Sequence, residues 1–301
     1  MVSQRTFLSL LAVAVGIAYV GLGLSSTYLR MGTEIGVVEI MGPIYSFRDI
    51  TDQIGAARDD PRVKAVVLYV NSPGGAAFAC MEIRRYLENM TKPNIAIMDE
   101  LAASGAYYIA SAADEILAHA NTITGALGVI SIWEDYSKWL EKEGIKYWVW
   151  KTGQAKDLFE PWRSPTAEEN ETIQMELNRT YEILVQDIAS GRPNLTLERV
   201  REIANGSAYT GAEALELGLV DGIGDYKQAI RKVASRANLE SYIVRNMADG
   251  DGKVIASLAA SYLFSWATVF FVGALILIAI ARNRLRKAGR QAGAEPLHRG
   301  I

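Results

Sequence analysis

Two long uncharged segments near the ends of the chain constrain its fold more than any other feature. The second covers Val254–Ala281, 28 residues without a charged side chain. A run of that length is typical of a bilayer-spanning helix rather than of a buried core helix. The first, Phe7–Leu24, has 18 uncharged residues, enough to span a bilayer or to form the core of a signal peptide. We therefore expect membrane-spanning helices on both sides of the intervening sequence.

The charges beside these segments predict an orientation. A cluster of five basic residues follows the second segment and, by the positive-inside rule, places the C-terminus in the cytoplasm. One crossing then puts the middle of the chain on the extracytoplasmic side of the cell membrane, whether the first segment is a cleaved signal or, as we expect, an uncleaved anchor. The predicted divisions are an anchor at 1–29, a folded domain at 30–245, a linker at 246–253, a transmembrane helix at 254–281 and a basic tail at 282–301.

Composition excludes several classes of function. The formal net charge is −3 and the isoelectric point about 5.6, so nothing in the charge balance favours binding to nucleic acid. A single cysteine, Cys80, rules out an intramolecular disulfide and a CxxC metal or redox motif. The two histidines are His119 and His298, and the second falls on the predicted cytoplasmic side. His119 is therefore the single histidine available to a site on the extracytoplasmic side, which is too few for a cluster of catalytic or metal-binding histidines.

The middle of the chain alternates between strand and helix patterns. Val63–Val70 is a nearly continuous apolar run, as expected of a strand covered on both faces, whereas Phe47–Asp59 has helical spacing. Alternation of this kind indicates βαβ units and an α/β fold with a largely parallel sheet. The other predicted strands are Glu34–Met41, Asn94–Met98, Glu115–Ala118, Val129–Ile132 and Tyr147–Trp150. The other predicted helices are Ala77–Met90, Ser104–Ala113, Glu134–Glu143, Thr166–Ala189, Leu197–Ala204, Gly211–Leu217 and Asp225–Ala237.

A glycine-rich turn follows the buried strand at Val63–Val70. Asn71–Gly75 reads NSPGG and leads directly into a predicted helix. Paired glycines let a backbone turn sharply and direct its N–H groups at a ligand. Such groups can stabilise an oxyanion. The alternative interpretation is an ordinary strand-to-helix turn, since Gly-Gly turns are common.

Ser104 is the candidate nucleophile. It stands among small residues in Ala102–Tyr108, where a strand gives way to a helix. A serine on a tight strand-to-helix turn has the geometry of an exposed nucleophile. The alternative is a helix N-cap, which is the commoner role of serine at such a position.

A nucleophilic serine needs a base, and the sequence offers few. His119 ends a short predicted strand and is more typical of a structural residue, so a Ser–His–Asp triad has little support. Lys156 follows a turn at Gly153, with Lys151 as its local competitor. A lysine acts as a base only where burial lowers its pKa. Asp157 beside Lys156 would oppose this if its carboxylate faced the ammonium group.

The ordered set of these motifs resembles signal peptide peptidase A, a family of membrane-bound serine–lysine peptidases. The resemblance covers about residues 36–244. It is carried by the following segments: Asn71–Gly75, Ala103–Tyr108, Ala110–Asp114, Thr122–Val129, Gly153–Asp157, Pro165–Glu169 and Tyr209–Gly222. It implies a Clp protease/crotonase-type fold with a single catalytic-domain copy. Phe78, soon after the glycine turn, departs from the more polar stretch expected there, and the C-terminal membrane segment resembles related membrane-bound Clp-class proteases.

The resemblance also implies a mechanism. Ser104 would be the nucleophile, Lys156 the general base, and the backbone N–H groups of Gly74, Gly75 and Gly105 the oxyanion hole, with no metal or cofactor. Expected substrates are residual signal peptides and other membrane-associated or unfolded polypeptides. Expected partners are the lipid bilayer and further copies of the chain, because the family forms dome-like homo-oligomers whose neighbouring subunits complete the active sites.

Two other functions are compatible with the same fold. One is a catalytically silent membrane scaffold, which loss of either dyad residue would have favoured; both residues are present. The other is a crotonase-type acyl-CoA enzyme, which also uses backbone oxyanion holes. The predicted extracytoplasmic location argues against it, because coenzyme A is cytosolic.

Overall fold

The computed structural model describes residues 33–249 together with Gly16. Gly32–Ala248 form one compact unit. Two segments are predicted to cross a membrane. Val254–Ala281, and all of Phe7–Leu24 except Gly16, lie outside the described residues, as do the basic tail and His298. None of the helices in the described part of the chain combines the length and the hydropathy that a bilayer crossing requires.

Strands and helices alternate along the described residues. The strands are β1 (Glu34–Met41), β2 (Val63–Ser72), β3 (Asn94–Ala103), β4 (Ile116–Ala118), β5 (Ile123–Gly125), β6 (Ala208–Thr210), β7 (Gly222–Ile223) and β8 (Ile243–Asn246). The α-helices are α1 (Arg48–Asp59), α2 (Ala77–Glu88), α3 (Gly105–Ala110), α4 (Ser137–Lys142), α5 (Ala167–Gly191), α6 (Leu197–Ile203), α7 (Gly211–Glu216) and α8 (Tyr226–Arg236). Short 3-10 helices cover Gln154–Asp157 and Met247–Asp249.

The strands form one sheet in the order β6-β5-β3-β2-β1-β8, with β4 also pairing with β3 and β7 pairing with β4. Every pair is parallel except β5 with β6. β3 pairs with β4 along its first half and with β5 along its second. The end of β3 is therefore held between β2 and β5, and the chain enters α3 from that fixed point.

Side chains that alternate along the strands pack into two separate hydrophobic cores, one on each face of the sheet. On one face, Ala65 and Val67 of β2 pack with Ile95 and Ile97 of β3 beneath α8. On the other face, the intervening residues pack against α1, α2, α3 and the helices from α5 to α7. This burial on both faces explains the apolar run in β2, because a parallel sheet covered by helices has no solvent face.

The prediction of an α/β fold with a mainly parallel sheet is confirmed, but two predicted strands are wrong. Val129–Ile132 and Tyr147–Trp150 form no strand and are largely exposed. Both are rich in the β-branched or aromatic residues that favour strands, yet neither backbone pairs with another strand of the described chain. β-propensity reflects a fit to half-buried surfaces, and an exposed apolar surface has the same composition.

The exposed apolar residues are concentrated in one segment, 130–159, which we call the aromatic arm. Trp148 is 77% exposed and Trp150 is 87% exposed. The other large exposed apolar side chains of the aromatic arm are Ile130, Ile132, Tyr136, Trp139, Ile145, Tyr147, Val149 and Phe159. Exposed apolar side chains in this number are unusual for the surface of a soluble domain, where single scattered ones are the norm.

Candidate active site

Ser104 lies at the junction of β3 and α3 in a strained backbone conformation. Its φ is 55° and its ψ is −124°, a region that non-glycine residues rarely occupy. Its N–H donates to the carbonyl oxygen of Gly125 at 2.7 Å, which ties this residue to the end of β5. Although it occupies the N-cap position of α3, its hydroxyl makes no capping hydrogen bond. The N-cap interpretation of this half-buried serine therefore has no support.

The glycine turn packs directly against this junction. Gly74 has a φ of 88°, and a Cβ built there would lie 2.6 Å from the Gly105 nitrogen and 3.0 Å from Ser104 Cβ. A Cβ at Gly75 would overlap the carbonyl of Ile44, with which this glycine forms an isolated parallel bridge. Only glycines at both positions bring the turn this close to the serine.

Two backbone donors beside Ser104 are unpaired. The N–H groups of Gly75 and Gly105 donate to no acceptor in the part of the chain that the structure describes. The N–H of Gly74, in contrast, donates to the Ser72 hydroxyl at 3.0 Å. The N–H groups of Gly75 and Gly105 are therefore available to a ligand beside Ser104, whereas the N–H of Gly74 already has an acceptor. The sequence analysis does not single out Ser72, because its hydrogen bond to Gly74 depends on how the turn folds.

Cys80, on α2, is buried beneath Gly105. A Cβ at Gly105 would overlap the Cys80 sulfur. Burial raises the pKa of this thiol to about 11, so it is neutral at physiological pH. Phe78, one helical turn after the glycines, is 66% exposed and packs edge-to-face on Phe47 with ring centroids 5.9 Å apart. It places an aromatic side chain near the glycine turn.

Lys156 lies in the 3-10 helix Gln154–Asp157, with its side chain exposed. Its amine makes no ion pair or hydrogen bond within the described residues, either with Ser104 or with any other group. Its competitor Lys151 instead donates to Asp157 Oδ1 at 2.6 Å and to the Gln154 carbonyl at 2.7 Å. The structure therefore brings together Ser104, Gly74, Gly75 and Gly105. No hydrogen bond connects Lys156 to them within the described residues.

His119 lies at the exposed end of β4. Its backbone N–H donates to the Thr122 hydroxyl at 3.0 Å, and its carbonyl packs against Gly211. Its imidazole makes no hydrogen bond in residues 33–249. Nothing in this arrangement supports a histidine base.

The parallel sheet, the glycine turn and the strained serine together define a ClpP-like fold. A family model described as ClpP-like SDH-type serine proteinase matches residues 26–130. A model of peptidase family S49 matches residues 87–240, slightly more than half of the chain. The chain belongs to peptidase family S49, and the resemblance inferred from its motifs is confirmed.

Individual relatives agree with this assignment. The chain is 37% identical to an Enterococcus faecium protein named as a candidate signal peptide peptidase SppA, over 65% of this chain and 57% of that protein. It is 33% identical to Protease 4 of Haemophilus influenzae, over 70% of this chain and 36% of that protein. A candidate protease of Synechocystis is 35% identical over 69% of this chain and 76% of that protein. The chain thus spans less than two thirds of the length of the first two.

Proposed function

We propose that this chain is a membrane-anchored serine endopeptidase with Ser104 as nucleophile and Lys156 as general base. Its proposed substrates are residual signal peptides and other membrane-associated or unfolded polypeptides. The observation that carries the proposal is the strained Ser104. Within residues 33–249 its hydroxyl has no partner, and neither have the two backbone N–H groups beside it. Membership of family S49 and the names of the relatives support proteolysis over an acyl-CoA reaction.

The proposed reaction proceeds through an acyl-enzyme. As the Ser104 hydroxyl attacks the carbonyl carbon of a peptide bond, Lys156 accepts its proton, and the N–H groups of Gly75 and Gly105 donate to the oxyanion. When the C–N bond breaks, Lys156 returns the proton to the leaving amine. Water then attacks the ester and releases the acyl group from Ser104. These steps require no metal or cofactor.

The exposure of Lys156 in a single chain bears on how the site is completed. A lysine base must be desolvated, because burial disfavours the ammonium form. We propose that assembly with further copies supplies this burial and brings Lys156 to a serine. The aromatic arm supports this part of the proposal, because it carries Lys156 and also holds the largest concentration of exposed apolar side chains among the described residues.

Cleavage of a dye-quenched, unfolded casein by the purified full-length chain in lipid tests the proposal. Ser104→Ala is expected to lower kcat at least a thousandfold, because it removes the nucleophile, and Lys156→Ala is expected to do so by removing the base. His119→Ala is the control and is expected to retain full activity. Circular dichroism and sedimentation of each variant check folding and assembly.

Full activity in Ser104→Ala or Lys156→Ala would refute the dyad. A folded, assembled wild-type protein with no activity would refute the peptidase and favour a silent scaffold. If only His119→Ala lost activity, the general base would be His119 and not Lys156.

A further inference from the structure

Asp157 directly follows Lys156 in the loop, and both oxygens of its carboxylate accept hydrogen bonds from other side chains. Asp157 is 7% exposed. Its Oδ1 accepts from Lys151 Nζ at 2.6 Å and from Arg163 Nη2 at 2.9 Å, and its Oδ2 accepts from Arg163 Nε at 3.1 Å. Arg163 Nη2 also donates to the Asp157 carbonyl at 3.0 Å. Hydrogen bonds from Arg163 and Lys151 hold the pKa of Asp157 well below its usual range.

Arg163 connects this carboxylate to the start of α5. Its Nη1 and Nη2 donate to Glu169 at 2.8 Å and 2.6 Å. Glu169 also accepts from the N–H of Thr166 in the capping box of α5. The hydrogen bonds from Arg163 and from the Thr166 N–H lower the pKa of Glu169 to about 2. The guanidinium group lies over the ring of Trp133, 5.2 Å from its centroid. The guanidinium group of Arg163 is thus fixed by two carboxylates, those of Asp157 and Glu169, and by the face of the Trp133 ring.

Within this cluster the two lysines of the loop have opposite environments. The Lys151 ammonium has a carboxylate partner, whereas the Lys156 amine has none among the described residues. A carboxylate a few ångströms away stabilises an ammonium group and so opposes its use as a base. The charged groups that meet Asp157 are Lys151 and Arg163, with Glu169 on the far side of Arg163. Glu160, which follows in the same loop, makes no ion pair within the described part of the chain.

We propose that Arg163 and Lys151 are positioning residues that occupy the Asp157 carboxylate and thereby keep it from pairing with Lys156. This inference rests on the proposed function, in which Lys156 is the base. Arg163 suits the role because its planar fork donates two hydrogen bonds to each of two carboxylates, whereas a lysine has only three N–H donors and no such fork. Its second partner, Glu169, fixes the loop to α5.

The pH profile of kcat/KM for casein cleavage by the full-length chain tests this inference. In Arg163→Gln, Asp157 Oδ1 keeps Lys151, but Oδ2 loses the one partner it has among the described residues and becomes available to Lys156. Lys156 is then expected to stay protonated to higher pH. The acidic limb is expected to move up by about one pH unit, a rate loss of about tenfold below that limb. Arg199→Gln removes an exposed arginine paired with Glu202 at 2.7 Å on α6 and is expected to leave the limb unchanged.

A rescue separates this role from a merely structural one. Adding Asp157→Asn to Arg163→Gln removes the released carboxylate and is expected to return the limb to its wild-type position. Arg163→Lys keeps the charge and is expected to shift the limb less than Arg163→Gln. Should Arg163→Gln not fold, Lys151→Gln removes the other cation on Asp157, and the same rescue applies.

The outcomes distinguish this inference from the proposed function. An active wild type whose acidic limb is the same in Arg163→Gln, or in Lys151→Gln, overturns the inference alone. A shift that Asp157→Asn fails to reverse also overturns it, because the loop would then be merely distorted. An inactive, folded wild type, or full activity in Lys156→Ala, instead overturns the proposed function on which the inference rests.

Discussion

Ser104 and the glycines around it show how much of a site depends on single backbone positions. The serine has a positive φ, and its hydroxyl makes no capping hydrogen bond to α3. The glycines at 74, 75 and 105 have no room for a side chain. The obstacles differ between the glycines, however. At Gly75 the obstacle is the Ile44 backbone, which cannot be removed by substitution. At Gly105 it is the sulfur of Cys80, which can.

This difference predicts different rescue behaviour. Gly105→Ala is expected to destabilise the fold by about 1–3 kcal/mol and to abolish activity, because the new methyl group overlaps the Cys80 sulfur. Adding Cys80→Ala is expected to recover most of the stability, since the nearest remaining atoms, Cys80 Cβ and Gly75 N, lie 3.3 Å and 3.4 Å from the new methyl group. Urea denaturation and casein cleavage measure the two effects.

Gly75→Ala provides the contrast. Its methyl group meets the Ile44 carbonyl, so Cys80→Ala is expected to give no recovery in this background. Equal recovery in both backgrounds would mean that Cys80 acts by loosening α2 in general and that the overlap at Gly105 is not the cause.

At the scale of elements, a buried arginine connects the three helices behind the site. Arg84 of α2 is 1% exposed. It donates to the Tyr108 carbonyl and the Ser111 hydroxyl at the end of α3, at 2.9 Å and 2.6 Å, and to the Asp187 carbonyl of α5 at 2.6 Å. It also lies over the Tyr108 ring. The helix that begins after Ser104 is therefore fixed at its other end by this side chain.

Arg84→Met is expected to lower the free energy of unfolding by about 3 kcal/mol, because it leaves buried acceptors without donors. The adjacent Arg85, which is exposed and pairs with Glu82 at 2.8 Å, is the matched control, and Arg85→Met is expected to cost less than about 1 kcal/mol. Urea unfolding monitored by circular dichroism gives both values. Similar losses in the two variants would show that the contacts of Arg84 to α3 and α5 contribute little.

The elements that could be predicted from sequence are those whose pattern depends on burial alone. β1 was predicted with its observed bounds, and β2 and β3 were predicted at their cores, because long apolar strands are distinctive. β5, β6, β7 and β8 have only two to four residues, too few to show a period, and the sequence analysis predicts none of them. Tyr147–Trp150 was misread because aromatic content does not distinguish a strand from an exposed surface.

The candidate site could likewise be predicted in part: its residues could be identified, but not their hydrogen-bond partners. The order of the motifs indicated Ser104 and its glycines, and the structure brings these residues together. Hydrogen-bond partners could not be predicted from the sequence. The Ser72 hydroxyl accepts from the N–H of Gly74. Asp157 accepts hydrogen bonds from Lys151 and Arg163 rather than from Lys156. Arg163 itself was missed, although its position shortly before a Thr-x-x-Glu capping box was a signal that could have drawn attention to it.

At the scale of the whole molecule, the aromatic arm is the feature that a single chain leaves unexplained. Trp148 and Trp150 are more than three quarters exposed, in an arm that also carries the proposed base. Burial of these side chains between copies would remove a large apolar area from water, a dominant favourable contribution in most protein–protein association. Assembly and activity are therefore expected to depend on the same residues.

Trp148→Glu and Trp150→Glu are each expected to reduce the assembled form at least tenfold without lowering the melting temperature of the monomer, because they place a charge in the proposed interface. Analytical ultracentrifugation measures the assembly, and casein cleavage is expected to fall in parallel. Tyr45→Glu, at an exposed aromatic outside the arm, is the control. Unchanged assembly in both tryptophan variants would exclude the arm as the interface.

The position of β8 at the edge of the sheet has a mechanical consequence. β1 and β8 are the first and last strands of the described residues, and they lie side by side and parallel, with Glu34 opposite Ile243 and Val37 opposite Asn246. The chain therefore enters and leaves this unit along one pair of strands that point the same way. A force pulling these two ends apart loads that pair in shear, so its hydrogen bonds must yield together rather than one after another.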